Sequence, residues 1–283
     1  MPLGAAHVLP KVRRPPYLPF LNGPAAFSPG LTPLSEDAWL LPDTEASAWM
    51  AEKRLLMKLQ RSLVSSGALN GDPAEEVLRR VMQASGDVPS QKMPTALEEA
   101  ASLVSDDLCI LEAKRPHDWR LTAGVLCAPT YWTLPERIGL DLGGLHGPVP
   151  GGDPGLASRI SRIFSGLQPG RILERFNWTV QIGGERFTPE RPRNDGHHAH
   201  DLYLRVERQT VSKLPQTGAV LFTIRICVDP LVPILALPHH REAFEDAWLG
   251  TSSPVRTYKH WRDLETLVAK ACRTAERGSN VPT

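Results

Sequence analysis

The chain has 283 residues, enough for one large domain or two small ones, and its 32 Lys and Arg residues nearly balance 31 Asp and Glu residues. A net charge of +1 gives no reason to expect attraction to nucleic acid or to an anionic membrane. No apolar run approaches the roughly 20 residues of a membrane span, and the N-terminus has no signal-peptide pattern. The four cysteines form no CxxC pair. These features predict a soluble cytoplasmic protein without a zinc site or a disulfide framework.

The first third of the chain predicts an extended arm followed by helices. Residues 1–46 are punctuated by Pro and Gly, with scattered apolar anchors, so this segment is expected to wrap around a folded body. Apolar spacing and capping residues predict helices over 47–66, 73–84 and 95–105. Thr95 and Glu98 have the spacing of a capping box at the start of the last helix. Residues 1–105 are therefore predicted to pack as an arm and helices on a core that follows.

The remainder, 106–283, predicts one α+β domain. Short apolar or alternating runs predict five strands: DLCILEA from Asp107, WRLTAGVLCAP from Trp119, RILERFNWTVQIGG from Arg171, DLYLRVERQTV from Asp201 and AVLFTIRICV from Ala219. A helical and irregular stretch over 133–166 separates the second strand from the third, and helices over 241–249 and 258–276 close the chain. This order is typical of a PAS-like fold, in which helices form one wall of a ligand pocket over a five-stranded antiparallel sheet.

Several strings resemble the family of haem-dependent oxidative N-demethylases. The longest is LRVERQTVSKLPQTGAVLFTIRICVDPL, residues 204–231; LHGPVPG, RFNWTVQ and the segment from Asp106 to Trp132 also fit. The resemblance extends over about residues 17–262. Family members often have an aromatic residue after FTIRT, whereas this chain reads FTIRIC to Cys227, so the amine it accepts is expected to differ if that residue shapes the substrate side.

The resemblance implies a haem-binding PAS-like subunit that oxidises a small secondary amine, such as dimethylamine, with O2. Its cofactor would be haem b with its iron. NADPH, FMN, a 2Fe-2S cluster and tetrahydrofolate are expected on partner subunits of the reductase and ferredoxin type. The chain has no GxGxxG, P-loop, HExxH or GxSxG motif, in agreement with electrons arriving from a partner.

His146 is the predicted axial ligand of the haem iron, and thus the predicted metal ligand. Imidazole is a common axial donor, and PAS haem proteins usually supply it from the helix before the third strand. His146 is the histidine of residues 129–170, and the prolines that follow it would fix the direction of the chain. Two alternatives remain open: His146 could bond a carbonyl at a helix end, or Cys109 or Cys127 could supply a thiolate.

Arg208, Arg225 and Glu207 are the predicted catalytic residues. Leu202, Leu204 and Val206 are predicted to share the inner face of the fourth strand with Arg208, while Arg225 interrupts the fifth strand. A guanidinium is costly to bury unpaired. Either arginine could polarise iron-bound O2 or bind haem propionates. Alternatively, each could pair with Glu174 or Glu207 across neighbouring strands.

Trp178, Phe222 and Val149 complete the set of predicted haem-binding residues. Trp178 alternates with Phe176 and Val180 on one strand face, so core packing is the simplest role of the indole. A wall of an amine pocket, acting through cation–π contact, is the other. Phe222 and Val149 lie in the strings that carry the family resemblance.

Two other functions fit the same scaffold. A haem-based gas or redox sensor would bind its ligand without turnover. A non-catalytic binding module would have kept the fold and lost the haem. A Soret absorption band would be present in the enzyme and in the sensor, and absent from a binding module that has lost its haem.

Overall fold

A seven-stranded antiparallel sheet forms the centre of the computed structural model, which describes residues 17–26, 30–40, 42, 44–147, 149–150, 154–193 and 196–279. The strands are β1 (Thr32–Leu34), β2 (Ser65–Gly67), β3 (Asp107–Ala113), β4 (Trp119–Val125), β5 (Ile172–Ile182), β6 (Leu202–Lys213) and β7 (Val220–Pro230). Their order across the sheet is β1-β5-β6-β7-β3-β4-β2. The long strands β5, β6 and β7 pair over most of their length, with Glu207 opposite Asn177 on one side and Ile226 on the other.

All five predicted strands are present. The prediction of a five-stranded sheet was wrong, however, because the sheet of the described residues has seven strands. The two additional strands are three residues long and lie at the two edges, where β1 pairs with β5 and β2 pairs with β4. Pro33 and Gly67 occupy these strands, and both residue types are unfavourable in a strand interior. Such short edge strands form because a neighbouring strand offers free backbone groups, so their own sequence contains little signal.

Ten helices surround the sheet in the described part of the chain. They are α1 (Ala46–Leu59), α2 (Arg61–Val64), α3 (Asp72–Ser85), α4 (Ala96–Ala101), α5 (Leu142–His146), α6 (Pro154–Gly166), α7 (Leu231–Leu235), α8 (Pro238–Gly250), α9 (Ser253–Tyr258) and α10 (Glu265–Ser279). The predicted N-terminal helix is divided in two at Gln60. Thr95 caps α4 as predicted, its hydroxyl accepting the Glu98 N–H at 3.3 Å. None of the described helices has both the length and the apolar content needed to span a bilayer.

Two hydrophobic clusters cover the sheet. The larger contains Trp49, Val77 and Leu97 from the N-terminal helices together with residues of β3, β4 and β7. The second packs Trp178 and Leu204 against the C-terminal helices α7, α8 and α10. The N-terminal and the C-terminal helices thus each share a core with the central strands, and a cavity remains between the sheet and helices α5 and α6.

Candidate functional site

A cavity of about 510 Å³ lies between the sheet and helices α5 and α6, within the usual size range of small-molecule and cofactor sites. Its remaining walls are the segment from Leu126 to Trp132 and the turn Tyr258–His260. Helices α5 and α6 contribute apolar side chains: Leu142, Leu145, Leu156, Ile160, Ile163 and Phe164. The enclosure is therefore largely apolar on the helical side.

The floor of the cavity, formed by the sheet, has a polar half and an apolar half. The polar half comprises residues of β5 and β6: Arg175, Asn177, Thr179, Glu207 and Gln209. The apolar half comprises Cys109, Leu111, Leu121, Val211, Phe222, Ile224 and Ile226. Because side chains alternate along a strand, every second residue of β5, β6 and β7 reaches the same face. These residues therefore form one continuous floor, which is polar on β5 and most of β6 and apolar on the strands beyond them.

His146, the last residue of α5, lines this cavity. Its Nδ1 lies 2.8 Å from the carbonyl oxygen of Leu142, so Nδ1–H donates and Nε2 retains the lone pair. In the described part of the chain, Nε2 has no hydrogen-bond partner. Burial lowers the pKa of His146, and the nearby Arg175 lowers it further, which favours the neutral imidazole. A neutral imidazole whose other nitrogen bonds a carbonyl is the usual arrangement of a metal-binding histidine.

Other donors also line the cavity. His260 lies in the turn after α9, at a positive φ of 56°, and its side chain is more exposed than that of His146. Burial raises the pKa of Cys109 to about 12 and raises that of Cys127 as well, so both remain thiols near neutral pH. Cys127 does not line the cavity. The thiolate alternative therefore receives little support, and His260 is the competitor of His146.

Glu207 presents a carboxylate at the centre of the polar half. Its oxygens accept hydrogen bonds from Thr130 Oγ1 at 2.9 Å, Asn177 Nδ2 at 3.2 Å and Gln209 Nε2 at 2.9 Å. Burial alone would raise the pKa of Glu207, but Arg205, Lys259 and the hydrogen bonds outweigh burial and hold the pKa below its usual range. A carboxylate has about four acceptor positions, so one remains available to a ligand. Glu207 is thus a fixed negative charge.

Lys259 is connected to Glu207 through Asn177. Its ammonium donates to Asn177 Oδ1 at 2.9 Å and to the Trp178 carbonyl at 2.8 Å. Burial lowers the pKa of Lys259 to about 8, although Glu207 opposes that shift. The lysine fixes the orientation of the Asn177 amide, because its oxygen accepts from the ammonium while its nitrogen donates to the carboxylate.

Arg175 is the guanidinium that lines the floor of the cavity. It lies on β5 beside Asn177, and its charge lowers the pKa of His146 and of Lys259. Burial lowers the pKa of Arg175 itself, but an arginine remains charged at neutral pH. No ion pair or hydrogen bond holds this guanidinium within the described residues. The side chain is therefore a candidate to bind an anionic group inside the cavity.

The wall segment from Leu126 to Thr130 is held from behind by two buried charged residues. Asp107 accepts the N–H groups of Cys127 at 2.9 Å and Ala128 at 2.8 Å. Arg205, which is fully buried, donates to the carbonyl oxygens of Ala128 at 2.7 Å and Pro129 at 3.1 Å. This irregular segment therefore has its peptide groups bonded on the side away from the cavity.

Arg208 and Arg225 lie on the other face of the sheet. Arg208 pairs with Glu174 and donates to the carbonyls of Ala38 and Trp39, while Arg225 pairs with Asp106 at 2.6 Å. Neither lines the cavity, so their positions favour the alternative of pairing over a role beside bound O2. The predicted inner face of β6 was wrong. Both faces of that strand are covered, and the alternation of apolar residues did not indicate which face has the cavity.

Trp178 packs away from the cavity, against Trp261 with 4.9 Å between ring centroids and against Phe20. Its position favours the core role over haem binding. Phe222 and Val149 do line the cavity, as do Glu207 and His146. The structure thus brings together four of the seven predicted site residues.

Sequence reasoning missed Arg175, Asn177, Lys259 and His260. The first two lie in the RFNWTVQ string, where polar residues alternate with the apolar Phe176 and Trp178, so the signal was present on the opposite face. Lys259 and His260 fell within the helix predicted over 258–276, whereas α10 begins at Glu265. The spacing of apolar residues did not indicate that the chain leaves the helix at Lys259 and His260 and contacts the sheet there.

A comparison with known protein families finds one match. The family model described as haem-dependent oxidative N-demethylase, alpha subunit-like, matches residues 68–269. That range includes α3 to α9, β3 to β7 and every cavity residue discussed above. The match spans well over half of the chain, and the chain therefore belongs to the haem-dependent oxidative N-demethylase, alpha subunit-like family.

Proposed function

We propose that this chain is the haem-binding, oxygen-activating subunit of an oxidative N-demethylase for a small secondary amine. The observation that supports the proposal most directly is the orientation of His146. Its Nδ1–H is bonded to the Leu142 carbonyl, and its Nε2 is left with a lone pair at the wall of a largely apolar cavity. An imidazole nitrogen with a free lone pair is a common axial ligand of haem iron.

The cavity fits a haem in chemistry as well as in the donor it offers. The apolar half and the side chains of α5 and α6 suit the porphyrin face, whereas Arg175 suits a propionate or another anion. The central strand order β5-β6-β7-β3-β4, with helices α5 and α6 opposite, supports a PAS-like arrangement. We expect His146 to hold the iron, and Phe222 and Val149 to contact the ring.

A bound haem supplies O2 activation, in which amine, O2, two electrons and two protons give a carbinolamine and water, and the carbinolamine releases formaldehyde and the smaller amine. The protein residues prepare this reaction. His146 is kept in one tautomer by Leu142. The apolar half excludes water from the reacting atoms.

Glu207 binds the ammonium group of the substrate in this proposal. Its lowered pKa makes it a poor proton acceptor and a persistent negative charge, and one acceptor position remains after the bonds from Thr130, Asn177 and Gln209. A charge-assisted hydrogen bond of this kind contributes about 1.5–3 kcal/mol. Glu207 therefore anchors and orients the amine, and it holds its charge throughout.

Arg175 takes the role that the sequence had suggested for Arg208 or Arg225. It is a permanent cation on the cavity floor, close enough to His146 to lower the pKa of the imidazole. Such a cation could pair with a haem propionate or stabilise negative charge that develops on oxygen in the cavity, the two roles first suggested for Arg208 and Arg225. Electrons would come from NADPH through partner subunits with FMN and a 2Fe-2S cluster, and tetrahydrofolate would be associated with the assembly.

The first experiment measures the absorption spectrum of protein expressed with a haem precursor. The wild type should show a Soret band, and His146→Ala should lose or shift it. His260→Ala is the matched control, because His260 lines the same cavity and should leave the spectrum unchanged. A Soret band that is lost in the His260 variant and kept in the His146 variant would reverse the assignment.

The second experiment measures formaldehyde after reduction under anaerobic conditions and addition of O2 with dimethylamine or another small secondary amine. One formaldehyde per amine consumed is expected. A haem protein that binds O2 but yields no amine-dependent product across a panel of amines would be a sensor rather than an enzyme.

A further inference from the structure

Cationic side chains concentrate on the outer surface of the wall that α6 forms. We call this group the α6 basic surface: Lys114, Arg115, Arg159, Arg162, Arg171 and Lys213. Arg159 and Arg162 are exposed on the helix itself, and the others come from the β3–β4 turn, from the residue before β5 and from the end of β6. A protein with a net charge of only +1 thus concentrates positive charge on one face.

Direct contacts hold these separate segments together. Ser161 Oγ donates to the His117 carbonyl at 3.1 Å, which places the β3–β4 turn against α6. Lys213 Nζ donates to the Ser165 carbonyl at 3.4 Å and lies 6.0 Å from the centroid of the Trp119 ring. The cationic side chains therefore form one surface, although they come from distant parts of the chain.

Few negative charges neutralise this surface. Asp118 lies in the β3–β4 turn, but its carboxylate pairs with Arg120 at 3.0 Å, and Arg120 points to the other face of the sheet together with Glu112. Within the described residues, Arg159, Arg162 and Arg171 take part in no ion pair. An uncompensated positive surface of this kind attracts an acidic partner and accelerates its association.

The same helix also lines the cavity. Leu156, Ile160 and Ile163 face inward from α6, while Arg159 and Arg162 face outward. The surface is thus separated from the cavity by one helix layer, roughly 10 Å thick. Of the possible acidic occupants, a protein that delivers electrons gains most from this short separation. Nucleic acid or anionic lipid would gain nothing from it.

We propose that the α6 basic surface is the docking site of an acidic electron-donor protein, an inference that rests on the proposed function. Each encounter transfers one electron: the reduced iron–sulfur cluster of the donor is oxidised, and ferric iron in the cavity becomes ferrous. Two encounters supply the two electrons that one turnover consumes.

The test uses an acidic plant-type 2Fe-2S ferredoxin as the probe and the haem-loaded protein as the target. Calorimetry measures binding, and stopped-flow absorbance measures reduction of the iron by the reduced ferredoxin, both at low and high salt. The double variant Arg159→Glu/Arg162→Glu should weaken binding and slow association at least tenfold, and high salt should do the same to the wild type. The variant Lys270→Glu/Arg273→Glu changes two exposed cations on α10 with the same spacing, and it should remain within twofold of the wild type.

Reduction by dithionite and the absorption spectrum separate this proposal from the proposed function. If both are normal and the ferredoxin neither binds the wild type nor responds to the Arg159/Arg162 reversal, the docking site is wrong while haem binding stands. Tighter, reversal-sensitive binding of anionic vesicles or duplex DNA than of ferredoxin would also overturn it. An absent Soret band would overturn the proposed function instead, and calorimetry with the ferredoxin would still decide the docking surface.

Discussion

The polar and apolar halves of the cavity floor differ in how they are held, although they belong to one sheet. Glu207 and Ile226 are direct neighbours on β6 and β7, yet one is fixed by three side-chain hydrogen bonds and the other only by packing. The polar half is therefore specified by directional contacts that a single substitution can break. The apolar half is specified by shape, and it tolerates conservative changes.

The largest expected effect concerns the buried ion pairs behind the two halves. Arg225→Met leaves the carboxylate of Asp106, which is 1% exposed, without its cation, and should lower the free energy of unfolding by about 3–5 kcal/mol. Arg208→Met should cost less, because the carboxylate of Glu174 is 16% exposed and can be hydrated. Urea denaturation followed by circular dichroism measures both. Equal losses in the two variants would contradict the ranking.

The second largest effect is expected for Glu207, which lies where the polar half of the cavity floor meets the apolar half. Glu207→Gln keeps the shape of the side chain and removes its charge, so the KM for the amine should rise roughly 10- to 100-fold, as expected for loss of a charge-assisted hydrogen bond. The haem spectrum should not change. Formaldehyde formation at varied amine concentration gives the KM. An unchanged KM would show that Glu207 does not bind the amine.

The pH dependence of the free energy of unfolding tests the burial of Lys259, which is bonded to Asn177 of the polar half. The pKa of Lys259 is about 8 in the folded protein against an ordinary 10.5, so the unfolded chain binds more protons between these values. The free energy of unfolding should therefore rise with pH across that window, by at most about 1.4 kcal/mol per pH unit, and the contribution should be flat below pH 8. Lys259→Met should lack this slope. Urea titrations of both proteins from pH 7 to 10.5 measure the difference, and parallel curves would contradict the prediction.

The smallest effect is expected in the apolar half. Ile226→Val removes one methyl group opposite Glu207 and should cost about 0.5–1.5 kcal/mol of stability. The KM for the amine should stay within twofold of the wild type. A change in KM as large as that of Glu207→Gln would mean that the two halves do not act separately.

The sequence predicted the strands better than the cavity they form. Apolar runs such as that of β7 and the alternation in β5 are local signals, and they located all five long strands. In β6, however, both faces pack against other elements, so Leu204 and Glu207 are each consistent with an inward position. Which face borders a cavity is decided by the packing of α5, α6 and the C-terminal helices, and these contacts are not local.

A site residue could be predicted when the contacts that position it are close in sequence, and it was missed when those contacts come from a distant part of the chain. The position of His146 at the cavity could be predicted because the end of its helix and the neighbouring prolines are adjacent in sequence. Lys259 could not, because its ammonium meets Asn177 some 80 positions earlier in the chain. Arg225 was recognised as needing a partner, but Asp106, which provides it, lies on the approach to another strand.

The segment from Leu126 to Thr130 lines the cavity without regular secondary structure, while Asp107 and Arg205 bond its peptide groups from behind. A wall fastened in this way has little conformational freedom left to lose when an occupant arrives. Binding energy that would otherwise be spent on ordering a loop is available for affinity and for discrimination between ligands. This part of the cavity wall is thus held rigid by Asp107 and Arg205, two buried residues that do not line the cavity themselves.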